Sequence, residues 1–202
     1  MKRAFTLIEL LVVMMIIGLL CGLLFGGLTK ASTWGKVKRT QAELAHLETA
    51  IESFHAYKNC YPPCNTNSPE LNGLFYELSG TMYSPPDKYE VLKGTETIHQ
   101  FQLVKNLGIS CLVNASAEPR EVREIAPIIR NKEALPIEGT KVMLMVSLIA
   151  GPKYSAAPGL NPWCYLAPGL NNQETYDLWL DVKVGDKVYR ICNWQRDPIV
   201  LP

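Results

Sequence analysis

With 202 residues, the chain is long enough for one compact domain with an appendage and too short for two large domains. Its 20 Lys and Arg residues and 19 Asp and Glu residues leave a formal net charge of +1, so no broad positive surface favours nucleic acid. The hydrophobic fraction of 48% is ordinary, but apolar residues are concentrated near the N-terminus. We therefore expect no nucleic-acid partner.

The apolar segment from Phe5 to Leu28 has only two strongly polar residues, Thr6 and Glu9. At a rise of 1.5 Å per residue, a helix of this length spans about 36 Å, enough for a hydrocarbon core of ~30 Å. A secretory signal peptide has an apolar region of about 7 to 15 residues, so this segment is too long for one. The sequence predicts a single transmembrane helix over residues 5–28.

Glu9 is the unusual residue of this helix. An ionisable group in a membrane helix costs on the order of 3 kcal/mol and therefore usually has a partner or a function. Its place near the end of the apolar run also allows its side chain to reach the lipid headgroups. Glu9 is therefore interpreted either as a carboxylate with a function or as one that simply lies at the membrane interface.

The N-terminal sequence MKRA-FTLIELLVVMMIIGLL resembles the class III signal sequence of type IV prepilins and type II secretion pseudopilins. The shared features are a short basic leader, a Phe after the scissile bond, a Glu five residues into the mature chain, and a long apolar helix. The resemblance implies that a prepilin peptidase removes residues 1–4, between Ala4 and Phe5, and methylates the new amine of Phe5. The family usually has Gly before the cut, and Ala4 is a small replacement.

Three glycines, Gly18, Gly22 and Gly26, are spaced four residues apart in the apolar segment. This spacing puts small residues on one helix face, where a second helix can approach closely in lipid. We interpret this face as an assembly surface. The alternative is that Gly is simply common in membrane helices.

The orientation of the helix depends on the resemblance. Lys2 and Arg3 precede it and four basic residues follow it closely, so the positive-inside rule favours the opposite orientation. The resemblance implies an inner-membrane protein with a cytoplasmic N-terminus before processing and a periplasmic C-terminal domain.

Residues 29–60 are predicted to continue the helix outside the membrane. Apolar residues recur there at spacings of seven, three, four and three: Val37, Leu44, Leu47, Ile51 and Phe54. The sequence Tyr61-Pro62-Pro63 ends the helix, because Pro lacks an amide donor and disfavours helix in the residue before it.

Residues 61–140 are predicted to form an irregular insertion. Within it, residues 71–78, 100–108 and 120–130 are candidate short helices, and 84–87 is a turn.

Residues 141–202 are predicted to form a sheet. The candidate strands are 141–149, 163–166, 176–182 and 187–193. Two copies of Ala-Pro-Gly-Leu-Asn supply tight turns around the second strand, and Gly185-Asp186 connects the last two. The stretch NPWCYLAPGLNNQETYDLW also resembles the C-terminal part of the major pseudopilins, which implies a small antiparallel sheet.

The chain has six cysteines: Cys21, Cys60, Cys64, Cys111, Cys164 and Cys192. All but Cys21 lie in the part placed outside the cytoplasm, where disulfides are permitted. Five is an odd number, so at least one thiol stays free or pairs between subunits. The candidate pairs are Cys60 with Cys64 and Cys164 with Cys192, and buried free thiols are the alternative.

No metal site or catalytic motif is evident. One CxxxC and three scattered histidines lack the paired spacing of zinc ligands, and no known nucleophile or phosphate-binding motif occurs. Major pseudopilins bind calcium just after the matching Tyr-Asp-Leu-Trp, which implies Asp181 and Asp186 as candidate calcium ligands. Lys183 and Lys187 lie beside them and would repel the ion, so ordinary turn polarity is the alternative.

The expected fold is α+β and pilin-like: a long N-terminal helix, transmembrane in its first half and amphipathic in its second, packed on a small antiparallel C-terminal sheet. The expected function is structural and not enzymatic: a subunit of a periplasmic pseudopilus for type II secretion. The implied partners are copies of this chain, other pseudopilins, the inner-membrane assembly platform and prepilin peptidase. The alternatives are a type IV pilus pilin for adhesion or DNA uptake and, more remotely, a single-pass membrane enzyme.

Overall fold

The computed structural model describes residues 7–126 and 133–202, with the backbone alone at 23–33. The chain divides into two compact units, one up to Lys38 and one from Arg39 to Pro202. The described residues combine helices with mostly antiparallel sheets, so the predicted α+β class is confirmed.

Helix α1 runs from Leu7 to Lys58 and confirms the predicted long N-terminal helix. All five residues of the predicted apolar stripe are buried: Val37, Leu44, Leu47, Ile51 and Phe54. The helix ends as Asn59 adopts a positive φ of 56° and donates its amide to the His55 carbonyl at 2.8 Å. Asn tolerates this left-handed conformation, and the two prolines that follow prevent further helix.

The segment 61–140 contains a four-stranded sheet, so the prediction of an irregular insertion was wrong. Its strands are β1 (Thr81–Ser84), β2 (Lys88–Val91), β3 (Thr97–His99) and β4 (Ala115–Ser116). They are ordered β3-β2-β1-β4, with β4 parallel to β1 and the other pairs antiparallel. Strands of two to four residues are too short for apolar alternation to be visible in the sequence. The turn predicted at 84–87 is present between β1 and β2.

Two of the three short helices predicted in this segment are confirmed. Helix α2 is Leu74–Ser79, and helix α3, Gln100–Gln102, continues into a π-helical turn, Leu103–Leu107. The third prediction, 120–130, is wrong over its described part, because a single 3₁₀ turn at Pro119–Glu121 gives way to extended backbone at Val122. Residues 127–130 lie outside the described residues.

The C-terminal part forms two sheets. Strands β5 (Ala134–Pro136) and β6 (Met143–Met145) make an antiparallel pair. A second sheet has the order β10-β9-β8-β7, all antiparallel, and consists of β7 (Cys164–Leu166), β8 (Asp177–Val184), β9 (Lys187–Cys192) and β10 (Ile199–Leu201). This confirms the three strands predicted after residue 160. The predicted strand 141–149 is shorter than expected, and β10 was not predicted.

Strand β8 contributes to the buried core of the second unit. Leu178, Leu180 and Val182 alternate along β8 and are completely buried. Two hydrogen bonds connect α1 to the C-terminal part: Gln41 donates to the Arg196 carbonyl at 3.1 Å, and the Ser147 hydroxyl donates to Glu43 at 2.8 Å.

Candidate assembly and processing site

The predicted processing residues, Ala4 and Phe5, lie outside the described residues. Glu9, the predicted assembly residue, lies in the first turn of α1 and its side chain is exposed.

The first turns of α1 expose a continuous apolar surface. Every large apolar side chain from Leu7 to Leu20 is exposed, from 45% for Val13 to 88% for Leu7. We call these residues, together with Glu9, the N-terminal apolar surface. Exposed apolar surface of this extent is unfavourable in water and marks a site that binds protein or membrane.

At two of the three predicted small residues, no other part of the structure covers the backbone of α1. A Cβ built on Gly18 or on Gly22 would meet no atom within 4 Å, so each backbone is accessible from outside the helix. Gly26 lies in α1, but its surroundings are outside what the structure describes. The geometry for close helix approach is therefore present at the first two positions.

In the part of the chain that the structure describes, no helix is both long enough and apolar enough to cross a membrane. The predicted transmembrane span, residues 5–28, includes positions outside that part, and it stays a prediction.

The predicted disulfides are not formed, and all six thiols are free. Cys164 on β7 and Cys192 on β9 both pair with Trp179 of the intervening strand β8. Two strand spacings put their Cα atoms about 10 Å apart, whereas a disulfide requires less than about 7 Å. The Cys164–Cys192 pairing was wrong because the sequence did not reveal that β8 lies between them.

The thiol of Cys64 is engaged with the backbone instead of with Cys60. It donates to the Ala167 carbonyl at 3.2 Å and accepts from the Ala167 amide at 3.3 Å. Cys64 thus connects the segment after α1 to the turn after β7.

The two candidate calcium ligands are not brought together. Asp181 is 5% exposed and pairs with Arg190, while Asp186 lies in the exposed turn between β8 and β9. Within the described ranges, no cluster of three His, Cys, Asp or Glu side chains is arranged to hold a metal ion. The Asp181 carboxylate pairs with the guanidinium of Arg190, so the described geometry does not support a calcium site shared by Asp181 and Asp186.

Asp177 was not among the predicted site residues, yet it organises the turn after β7. Its carboxylate accepts hydrogen bonds from the amides of Leu170, Asn171 and Asn172 at 2.8–2.9 Å, and from the Asn171 side chain at 2.9 Å. Three successive backbone amides directed at one carboxylate fix the loop conformation. The sequence signal was an Asp that follows a turn rich in Pro, Gly and Asn.

The N-terminal segment contains a motif that is known from a protein family. Residues 1–25 match the family model for the prokaryotic N-terminal methylation motif. No curated protein and no solved structure matches the chain. The motif supports a type IV pilin-like protein, a class with which the α+β architecture is consistent. Such a motif suggests processing by a prepilin peptidase, oligomerisation and attachment to a membrane.

Proposed function

We propose that this protein is a structural subunit of a periplasmic pseudopilus that supports type II secretion, and that it catalyses no reaction. The observation that carries the proposal is the methylation motif at residues 1–25, which includes the N-terminal apolar surface. A motif that is cleaved and methylated prepares the N-terminus for packing against other subunits, and the apolar side chains of α1 provide the surface that packs.

Within this proposal, the resemblance of the C-terminal sequence to the major pseudopilins is the reason for preferring a secretion role to a surface pilus. The stretch resembling the major pseudopilins has the antiparallel arrangement that the resemblance implies, with β7, β8 and β9 adjacent. In this proposal, the N-terminal helix lies in the inner membrane and associates with other pseudopilins on the assembly platform. The second unit lies in the periplasm.

Processing is tested by intact-mass analysis of the full chain extracted from membranes. The expected product begins at Phe5 and carries one added methyl group, and cells without active prepilin peptidase should yield only the chain beginning at Met1. Ala4→Gly introduces the residue typical of the family and should be processed at least as fully, whereas Ala4→Lys should block cleavage. A chain that retains Met1 in the presence of active peptidase would refute the proposal.

The secretion role is tested by deleting the gene and restoring it. Accumulation of normally exported proteins in the periplasm, reversed by the wild-type chain and not by Ala4→Lys, is the expected result. Normal export together with loss of surface filaments, adhesion or DNA uptake would instead establish the type IV pilus alternative.

A further inference from the structure

Glu77 on helix α2 is a fully buried carboxylate. It is 0% exposed, and its two oxygens accept hydrogen bonds from the backbone amides of Val113 and Asn114, both at 2.7 Å. Among the described residues, no Lys, Arg or His side chain forms an ion pair with it. Within the described part of the chain, two backbone amides are the hydrogen-bond donors to this carboxylate, and they belong to a segment that begins 36 residues further along the chain.

Asn114 completes the connection and is also 0% exposed. Its side-chain amide donates to the Glu77 carbonyl at 2.8 Å and to the Arg123 carbonyl at 2.7 Å, and its side-chain oxygen accepts from the Arg123 amide at 3.2 Å. We call Glu77 and Asn114 with these partners the Glu77 clasp. It holds the backbone of residues 113–123 against α2.

The groups that face Glu77 come from four parts of the fold. Lys58, at the end of α1, is positively charged and favours the ionised carboxylate. The others are neutral at neutral pH: Cys60, Tyr89 of β2 and Tyr165 of β7. Burial opposes ionisation and outweighs both Lys58 and the two amide donors, so it raises the pKa of Glu77 to about 7.

We propose that Glu77 makes the clasp a pH-responsive element of the fold, in which residues 113–123 open from α2 more often once the Glu77 carboxyl is ionised. Opening hydrates the carboxyl and returns its pKa towards the ordinary value of 4.5. The closed clasp has the higher pKa, so proton binding favours closure. The stability that proton binding adds to the closed clasp is complete below about pH 4.5 and is lost as the pH rises through 7.

Hydrogen exchange at the two donor amides tests this directly. The exchange rates of individual amides are measured for the full chain in detergent micelles from pH 5 to pH 8. Each exchange rate is divided by the intrinsic exchange rate of an unprotected amide at that pH. The protection of the Val113 and Asn114 amides should fall by roughly 50-fold across this range, because each pKa unit corresponds to a factor of ten. The amides of Leu180 and Ile191 in the C-terminal sheet should not follow this change.

Three variants separate the effect of Glu77 from that of other titrating groups. Glu77→Gln cannot ionise, so the protection of both amides should become independent of pH, whereas the exposed Glu138→Gln should behave as wild type. If Glu77→Gln does not fold, Lys58→Met remains informative. Removing that positive charge should move the midpoint of the change to higher pH. Protection that is independent of pH in the wild type, or that increases towards pH 8, would overturn the proposal.

Discussion

Arg190 on β9 donates two parallel hydrogen bonds to Asp181 on β8, from Nε to Oδ1 at 2.8 Å and from Nη2 to Oδ2 at 2.9 Å. The two residues are directly opposite in the strand register. The guanidinium also lies 5.5 Å from the centre of the Trp179 ring. A planar guanidinium matches a carboxylate in this two-bond geometry, which lysine cannot reproduce.

Arg190→Met should lower the free energy of unfolding by about 2 kcal/mol, because it leaves the buried Asp181 carboxylate without its counter-ion. Methionine keeps much of the apolar stem, so lost packing contributes little. The measurement is urea unfolding of the full chain in detergent micelles, with Lys187→Met as the control on an exposed position of the same strand. A change no larger than that of the control would show that Arg190 does not stabilise Asp181.

The long helix could be predicted because the residues that indicate it lie close together in the sequence. Its apolar stripe repeats over Val37 to Phe54 at helical spacing, and every predicted stripe residue is buried. The strands around the Pro-Gly turns were predictable for the same reason, since tight-turn residues lie next to the strands they connect.

The Glu77 clasp was not predictable because its partners are far apart in the sequence. A Glu in a short helical pattern is normally assigned to the exposed face, and nothing near Glu77 indicates that the amides of residues 113 and 114 will reach it. The same limit explains the error over Cys164 and Cys192. Strand positions were predicted, but strand order depends on which segments meet in space.

Cys164 and Cys192 should remain free thiols in the protein isolated from cells. Burial raises the pKa of the Cys164 thiol to about 12 and also raises that of Cys192, so thiolate is scarce at neutral pH. Iodoacetamide should modify both residues only after denaturation, whereas the exposed Cys111 should react in the native protein and serves as the internal control. Recovery of a Cys164–Cys192 disulfide by non-reducing peptide mapping would contradict the strand order β7-β8-β9.

Gly80 should be far less tolerant of a side chain than Gly139. Both have a positive φ, 71° and 73°, so alanine meets a similar backbone penalty at each. A Cβ on Gly80 would lie 2.8 Å from the Arg123 carbonyl oxygen, whereas one on Gly139 would meet nothing within 4 Å. We expect Gly139→Ala to cost about 1 kcal/mol and Gly80→Ala about 3 kcal/mol in urea unfolding. Equal costs would show that the segment at Arg123 moves aside freely.

Glu9→Leu should insert into the membrane normally and fail to assemble. In the proposed processing, cleavage before Phe5 would create a positively charged amine, and Glu9 lies four residues further on, about 6 Å along the helix axis. In the proposed filament, the Glu9 carboxylate of one subunit would meet the amine of an incoming subunit, and this pairing would offset two desolvation costs. Leucine removes the cost of burying an acid but leaves the neighbour's amine without its counter-ion.

Membrane fractionation and crosslinking between adjacent subunits separate these two effects. Glu9→Leu should appear in the membrane fraction at wild-type levels or above, with crosslinked multimers reduced about tenfold or more, since losing one partner of a buried ion pair costs several kcal/mol. Glu9→Gln keeps the size and polarity of the side chain and should show the same defect if the charge is what matters. Met15→Leu, an apolar exchange on the same helix, should assemble as wild type. Wild-type levels of crosslinked multimers in Glu9→Leu would show that the carboxylate has no part in assembly.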